Sequence, residues 1–226
     1  MDLFDLRGRR ALLTQCEDFM GPALRAGFEA MGATVIADPR PLADARDVQE
    51  LADAAGTVDI LLAHLAVPAP TTPVDQVGDD EWRQVFAHLV DPLPRLARAL
   101  VPGMRQRGRG RIVVIGSASA LRGMKRTSTY SAARGAQLAW TRAAGVELAR
   151  DGIRVNAIAQ NFVDNPTYFP PEVQANPAFQ ARLQREVPLG RLVSADEDVR
   201  LAAYLASDAA DCFVGQVFPM CGGWVA

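Results

Sequence analysis

The chain has 226 residues, 49% of them hydrophobic and 22% charged, with a formal net charge of −2 at pH 7. That length suits one compact domain with a substantial core, and the near-neutral balance, with basic residues spread along the chain, gives no footprint for nucleic acid. No apolar run spans a bilayer and no signal-like start precedes the first strand, which predicts a soluble cytoplasmic protein, while Cys16, Cys212, Cys221, His64 and His88 lack metal spacing and argue against zinc or disulfides.

In chain order, Arg10–Thr14 reads as a short apolar strand, and Gly21-Pro22 opens a helix from Ala23 to Met31, proline suiting the first turn. Ala33–Asp38 reads as a second strand, Ala45–Ala55 as a helix and Val58–Ala63 as a third strand. A long helical region from Asp80 to Arg107 is interrupted or bent near Pro92 and Pro94. Gly108-Arg109-Gly110 then introduces the apolar strand Ile112–Ile115, with Ser117 just beyond its carboxyl end. Thr127–Arg150 suits a long helix and Ile153–Ile158 a fifth strand. From Gln160 to about Pro188, five prolines and several aromatics break any period, which predicts an active-site loop with one short helix. Val193–Asp208 reads as the last helix and Phe213–Pro219 as the last strand. The alternation predicts an α/β fold over residues 1–226: one Rossmann-like, doubly wound parallel sheet with helices on both faces. Ligands of such sheets sit beyond the carboxyl ends of the strands, expected here where the first and fourth strands diverge, an edge that Thr14, Ser117 and Gln160 all follow.

Ser117, Tyr130 and Arg134 form the pattern S-x12-Y-x3-R. Residues four apart share one helical face, so Tyr130 and Arg134 can project together toward Ser117 at the neighbouring strand end. A fixed cation beside a phenol favours the phenolate, which can take a proton from a substrate hydroxyl while a serine hydroxyl holds the same oxygen. Ser119 is a second candidate for the serine role, two positions short of that spacing.

The serine and tyrosine resemble the catalytic pair of short-chain dehydrogenases/reductases, a family that places lysine four residues after its tyrosine. Arginine is not a conservative exchange there, although Lys125 is the sole lysine of the chain and a general preference for arginine would produce the same change. That family also carries T-G-x3-G-x-G after its first strand, where the backbone approaches the cofactor pyrophosphate. This chain reads Thr14-Gln-Cys-Glu-Asp-Phe-Met-Gly21, with two of the three glycines gone and Glu17 and Asp18 adding negative charge. Ala63-His64-Leu65-Ala66 replaces the asparagine-glycine turn usual after the third strand.

Taken together, T-x4-F-x-G at Thr14, Phe19 and Gly21 and S-x12-Y-x3-R resemble the halohydrin dehalogenase family. The resemblance implies a lyase that needs no cofactor, converts vicinal halohydrins to epoxides with release of halide, and runs in reverse with small anions. It implies Tyr130 as general base, Arg134 as the cation that tunes it and Ser117 as the group that orients the substrate oxygen. A halide pocket then replaces the nicotinamide site, with Phe19, Gln160, Asn161, Phe162 and Val163 as its candidate residues. Tyr168, Phe169 and Trp224 are candidate substrate walls, Trp224 with the option of reaching a neighbouring subunit. A homo-oligomer, a dimer of dimers, is expected, with Gln137, Leu138, Trp140 and Ala144 offered either to that surface or to the core. His88 is assigned a packing or solvent role. Two alternatives stay open: a divergent NAD(P)-dependent reductase using Asp38 for the adenine ribose, and a non-catalytic ligand-binding protein on the same scaffold.

Overall fold

The computed structural model describes residues 5–225. Six parallel strands form one sheet: β1 (Arg10–Thr14), β2 (Thr34–Asp38), β3 (Ile60–His64), β4 (Gly110–Ser117), β5 (Ile153–Gln160) and β6 (Val217–Met220), in the order β2-β1-β3-β4-β5-β6. The central strands β3 and β4 are buried along their whole length, as near-continuous apolar runs such as Ile112-Val-Val-Ile115 require when both faces are covered. Side chains alternate between the two faces. Leu12, Leu61 and Val114 join one core, whereas Leu13, Leu62 and Ile115 join the other.

The first core is closed by α2 (Ala45–Ala55), α3 (Asp79–Leu89), α4 (Pro92–Gln106) and α5 (Ser128–Leu148), the second by α1 (Gly21–Ala30) and α8 (Ala195–Ala206). The helix starts follow local chemistry. Asp44 caps α2 by accepting the Arg46 N–H at 2.8 Å, and Ser194 and Glu197 form a reciprocal capping box on α8. Pro92 is the first residue of α4, so the long helical region is interrupted there and forms two helices, since proline is tolerated in a first turn but not in an interior. Pro102 nevertheless lies inside α4.

Three further boundaries differ from the sequence expectation. Asp38 leads through a short loop directly to α2, so β3 pairs with β1, and the chain reverses between those two strands and not between the first and fourth. The proline-rich segment holds two helices, α6 (Pro171–Gln174) and α7 (Pro177–Glu186), each opened by a proline, with Asn176 capping α7 through the Ala178 N–H at 2.9 Å. Strand β6 begins only at Val217, because Gly215 (φ 65°) turns the chain where it closes on Gly145, and Phe213 packs against Tyr204 and Phe218. Gln137 and Leu138 are fully buried within this chain and so belong to its core, while Trp140 and Ala144 are half-buried. Among the described residues no helix is long and apolar enough to cross a membrane.

Candidate active site

At the reversal point, the carboxyl ends of β1, β3, β4 and β5 open into a cavity of about 370 Å³. Ser117 ends β4, and Tyr130 and Arg134 stand one turn apart on α5; all three line the cavity and all three are buried. The Arg134 guanidinium carbon lies 5.0 Å from the Tyr130 ring centroid. It is held from beneath: one terminal nitrogen donates to the Leu65 carbonyl (2.9 Å), the Ile115 carbonyl (3.1 Å) and Gln137 Oε1 (2.9 Å), and Nε is buried without a partner. The Ser117 and Ser119 hydroxyls are 2.9 Å apart, and Ser117 Oγ also accepts the Ser119 N–H at 3.2 Å, so Ser119 supports Ser117 and does not replace it.

The turn between β1 and α1 is the most informative part of the site. Of the three glycine positions of a dinucleotide turn, the one that lets the helix pack closely on the strand is kept: a Cβ on Gly21 would come within 2.6 Å of the Gln15 carbonyl oxygen and the Cys16 carbonyl carbon. The two that serve the tight turn and the pyrophosphate hold Gln15 and Phe19, both with positive φ (46° and 48°), a backbone state that costs a side-chain-bearing residue about 1 kcal/mol or more. Each side chain is fixed by its surroundings. Gln15 is clamped to Ala66 in both directions, Nε2 donating to the carbonyl (2.9 Å) and Oε1 accepting the N–H (2.7 Å). The Phe19 ring stands in the cavity against Tyr168 (5.2 Å between centroids) and His64 (6.5 Å).

Asp38, the carboxylate placed for an adenine ribose, is occupied by Arg40, which meets it at 2.9 Å and also reaches Asp47 and Glu50. Glu17 and Asp18 are exposed beside the start of α1. These residues do not fit a nicotinamide dinucleotide.

The loop after β5 treats its expected halide donors unequally. Gln160 borders the cavity, and one of the two N–H donors of its side-chain amide is used by Asp198 at 2.6 Å. The Asn161 N–H is used by the Met220 carbonyl (3.1 Å) and the Phe162 N–H by Asn161 Oδ1 (2.9 Å). Among the described residues the Val163 N–H and the Asn161 side-chain NH2 carry no hydrogen bond and remain available. Phe162, fully buried at φ 52°, turns the chain and presents its ring to the cavity.

Tyr168 and Phe169 are walls, and Phe169 stacks on Phe162 and packs at a tilt against Phe179 of α7. Trp224 is not a wall. It packs edge-on behind Phe162 (6.1 Å) beneath Arg122, whose guanidinium also donates to the Trp224 carbonyl at 2.7 Å. His88 lies on α3 away from the cavity, bonded to the Gln84 carbonyl one turn back.

Several groups acquire meaning only in three dimensions. His64 lines the cavity with Nδ1 3.0 Å from the Gln15 carbonyl, and burial pulls its imidazole down to about 4, so it is neutral at working pH. The sole sequence signal was its place in the segment that supplants the usual turn after β3. The Tyr168 hydroxyl accepts the Ala69 N–H at 2.9 Å; burial, with Tyr130 beside it, pushes its pKa up. Tyr168 therefore stays protonated and keeps its one proton to donate.

Asp198, fully buried on α8, leaves Oδ1 without a partner, and burial pushes its carboxyl from 3.8 to about 7 against the opposing Gln160 hydrogen bond. The folded chain keeps this proton up to about pH 7 where the unfolded chain releases it near 3.8, so the group's contribution to stability falls as pH rises between those values and is level above them. His64 acts in the opposite sense, losing stability as pH falls from 6.5 to about 4. Asp198→Asn removes the first effect alone. By calorimetry, the variant's thermal midpoint relative to the parent should climb from about pH 4 to about pH 7 and then level off; a constant difference contradicts the assignment.

Comparisons with known proteins bear on this site from two sides. Residues 27–225 match the enoyl-(acyl carrier protein) reductase family, a span that begins after the β1–α1 turn. A 3-oxoacyl-[acyl-carrier-protein] reductase of Pseudomonas aeruginosa is 30% identical over 96% of this chain and 98% of its own. Among solved structures, one described as a dehalogenation enzyme superposes with a TM-score of 0.89 at 33% identity, covering 98% of this chain and 100% of that one. A halohydrin dehalogenase bound to ethyl (2S)-oxiran-2-ylacetate gives a TM-score of 0.89 at 28% identity, covering 96% and 97%. With nearly nine-tenths of its length inside the family match and a sheet of the same kind, the chain belongs to the enoyl-(acyl carrier protein) reductase family of short-chain dehydrogenases/reductases.

Proposed function

We propose that this family member is a cofactor-independent carbon–halogen lyase that converts vicinal halohydrins to epoxides. The observation that carries the reading is the β1–α1 turn, where the packing glycine Gly21 is retained and the two cofactor glycines are replaced by Gln15 and Phe19 at strained positive φ. Strain kept at two neighbouring positions, with one side chain filling the cavity, is the mark of a converted site.

In this mechanism Tyr130 is the general base that takes the proton of the substrate hydroxyl, and Ser117, aligned by Ser119, holds the same oxygen. Arg134 supplies a fixed positive charge against the Tyr130 ring, and Tyr168, its proton unspent, supports the Tyr130 oxygen. The alkoxide oxygen attacks the neighbouring carbon, the carbon–halogen bond breaks and the halide leaves with the bonding pair. Nucleophile and leaving group are in one molecule, so holding the reacting conformer supplies much of the rate. The halide is received by the Val163 N–H and the Asn161 side-chain NH2 between the rings of Phe19 and Phe162, which exclude water. The net change is loss of HX from the halohydrin, with the Tyr130 proton passing to solvent.

A second reading, an NAD(P)-dependent reductase, is favoured by the family match and by relatives such as the Pseudomonas aeruginosa reductase. Titration with NADH and NADPH, followed by calorimetry, separates the two. No saturable binding is expected into the millimolar range, because the Phe19 ring and the Asp38–Arg40 pair take the positions that the dinucleotide needs. Micromolar binding of either nucleotide returns the protein to the reductases.

A further inference from the structure

We infer that the substrate carries a carboxylate, bound by Arg182 at the rim of the cavity. The inference deepens the lyase reading and rests on it for the substrate's reacting end. Among the described residues no aspartate or glutamate lines the cavity, whereas two arginines do. Arg134 is committed at the bottom to three acceptors of the fold. Arg182 is not. Only its Nε is bonded, to Glu186 Oε2 at 3.1 Å, and among the described residues neither terminal nitrogen has a hydrogen-bond partner. Glu186 is shared with Arg185 at 2.9 Å, so one carboxylate meets two guanidinium groups and a unit of positive charge is left over.

The position of Arg182 is fixed rather than free. It lies on α7, whose buried Leu183 anchors the helix and whose Phe179, one turn earlier, packs against Phe169 at 5.3 Å between centroids. Its guanidinium carbon lies 5.3 Å from the centroid of Phe162, so the planar group rests on a wall of the cavity. With Nε turned to Glu186, the edge bearing both terminal nitrogens is the free one, and that fork matches the two oxygens of a carboxylate. The side chain is 46% exposed, which places this contact at the mouth, while Ser117 and Tyr130 are buried at the reacting end. The substrate class is a short vicinal halohydrin bearing a carboxylate, and in reverse the corresponding epoxy acid.

The test compares chloride release from 4-chloro-3-hydroxybutanoate with that from its amide, a neutral compound of the same shape. The unmodified enzyme should favour the acid by about 10-fold or more in kcat/KM, the lower range for hydrogen bonds to a charged group. Arg182→Met should reduce the acid-to-amide ratio by a similar factor, and Arg182→Lys, which keeps charge but loses the fork, should restore part of it. An amide preference in the unmodified enzyme, or a ratio unchanged in Arg182→Met, overturns the inference. If neither compound releases chloride, the lyase reading fails, and the carboxylate site is decided separately by calorimetric titration with 3-hydroxybutanoate. Binding lost in Arg182→Met supports the site; no binding to the unmodified protein refutes it.

Discussion

Tyr130→Phe is expected to lower epoxide formation from a small halohydrin by about 10²–10⁴-fold, the usual contribution of a positioned general base. The ring volume is kept, so its packing against Arg134 and the surrounding core is retained and the thermal midpoint should move little. The loss should appear in kcat more than in KM, because the proton is taken in the transition state while much of the substrate is held by the aromatic walls. Residual turnover within a few-fold of the parent would remove Tyr130 from the chemistry and leave Tyr168 as the remaining phenol of the cavity.

Arg134→Met should damage both stability and turnover. A single terminal nitrogen serves the Leu65 and Ile115 carbonyls and Gln137 Oε1, and Gln137 in turn donates to the Leu89 carbonyl at 2.6 Å. Removing the guanidinium leaves three buried acceptors without that donor, at a cost of about 2–4 kcal/mol in denaturant unfolding. Turnover should fall by about 10²-fold, the scale for loss of one preorganised charge or donor at a reacting centre. Arg134→Lys separates the two roles. An ammonium can supply the charge and some of the hydrogen bonds but no planar fork, so stability and rate should both recover in part; a lysine variant as impaired as the methionine variant would contradict the role given to charge.

What could be read from the sequence, and what could not, follows from the range of the interactions involved. Strand β4 and helix α5 were legible because an apolar run, a glycine turn and a four-residue spacing are local signals, and they place Ser117, Tyr130 and Arg134 at one cavity without help from the rest of the chain. The helices α6 and α7 were hidden because proline punctuates a loop and opens a helix equally well; only Asn176 before Pro177 marked the second as a capped start. Nothing near Gln160 in sequence reveals its bond to Asp198, 38 residues away on α8. Trp224 read as a wall for the same reason: its distance from the cavity is set by Phe162 in front of it. The neutral state of His64, the spare proton of Tyr168 and the free edge of Arg182 depend on burial and on partners that no motif encodes.

The loss of two glycines from the β1–α1 turn was visible in the sequence, but not its consequence. The positive φ at Gln15 and Phe19 shows that the turn kept the glycine-type backbone while changing what fills it. A random decay of the motif would relax that strain. The clamp of Gln15 on Ala66 and the insertion of Phe19 between His64 and Tyr168 hold the strained turn in place.

The central claim is that this scaffold works without its family's nucleotide, and the most direct measurement is halide release by protein stripped of nucleotide. With 1,3-dichloro-2-propanol and no added NAD(P)(H), chloride and epoxide should form in equal amounts, and the Tyr130→Phe protein should form neither at a comparable rate. No chloride from several small vicinal halohydrins, together with oxidation of NADPH or NADH in the presence of a ketone substrate, would contradict the account and establish a reductase.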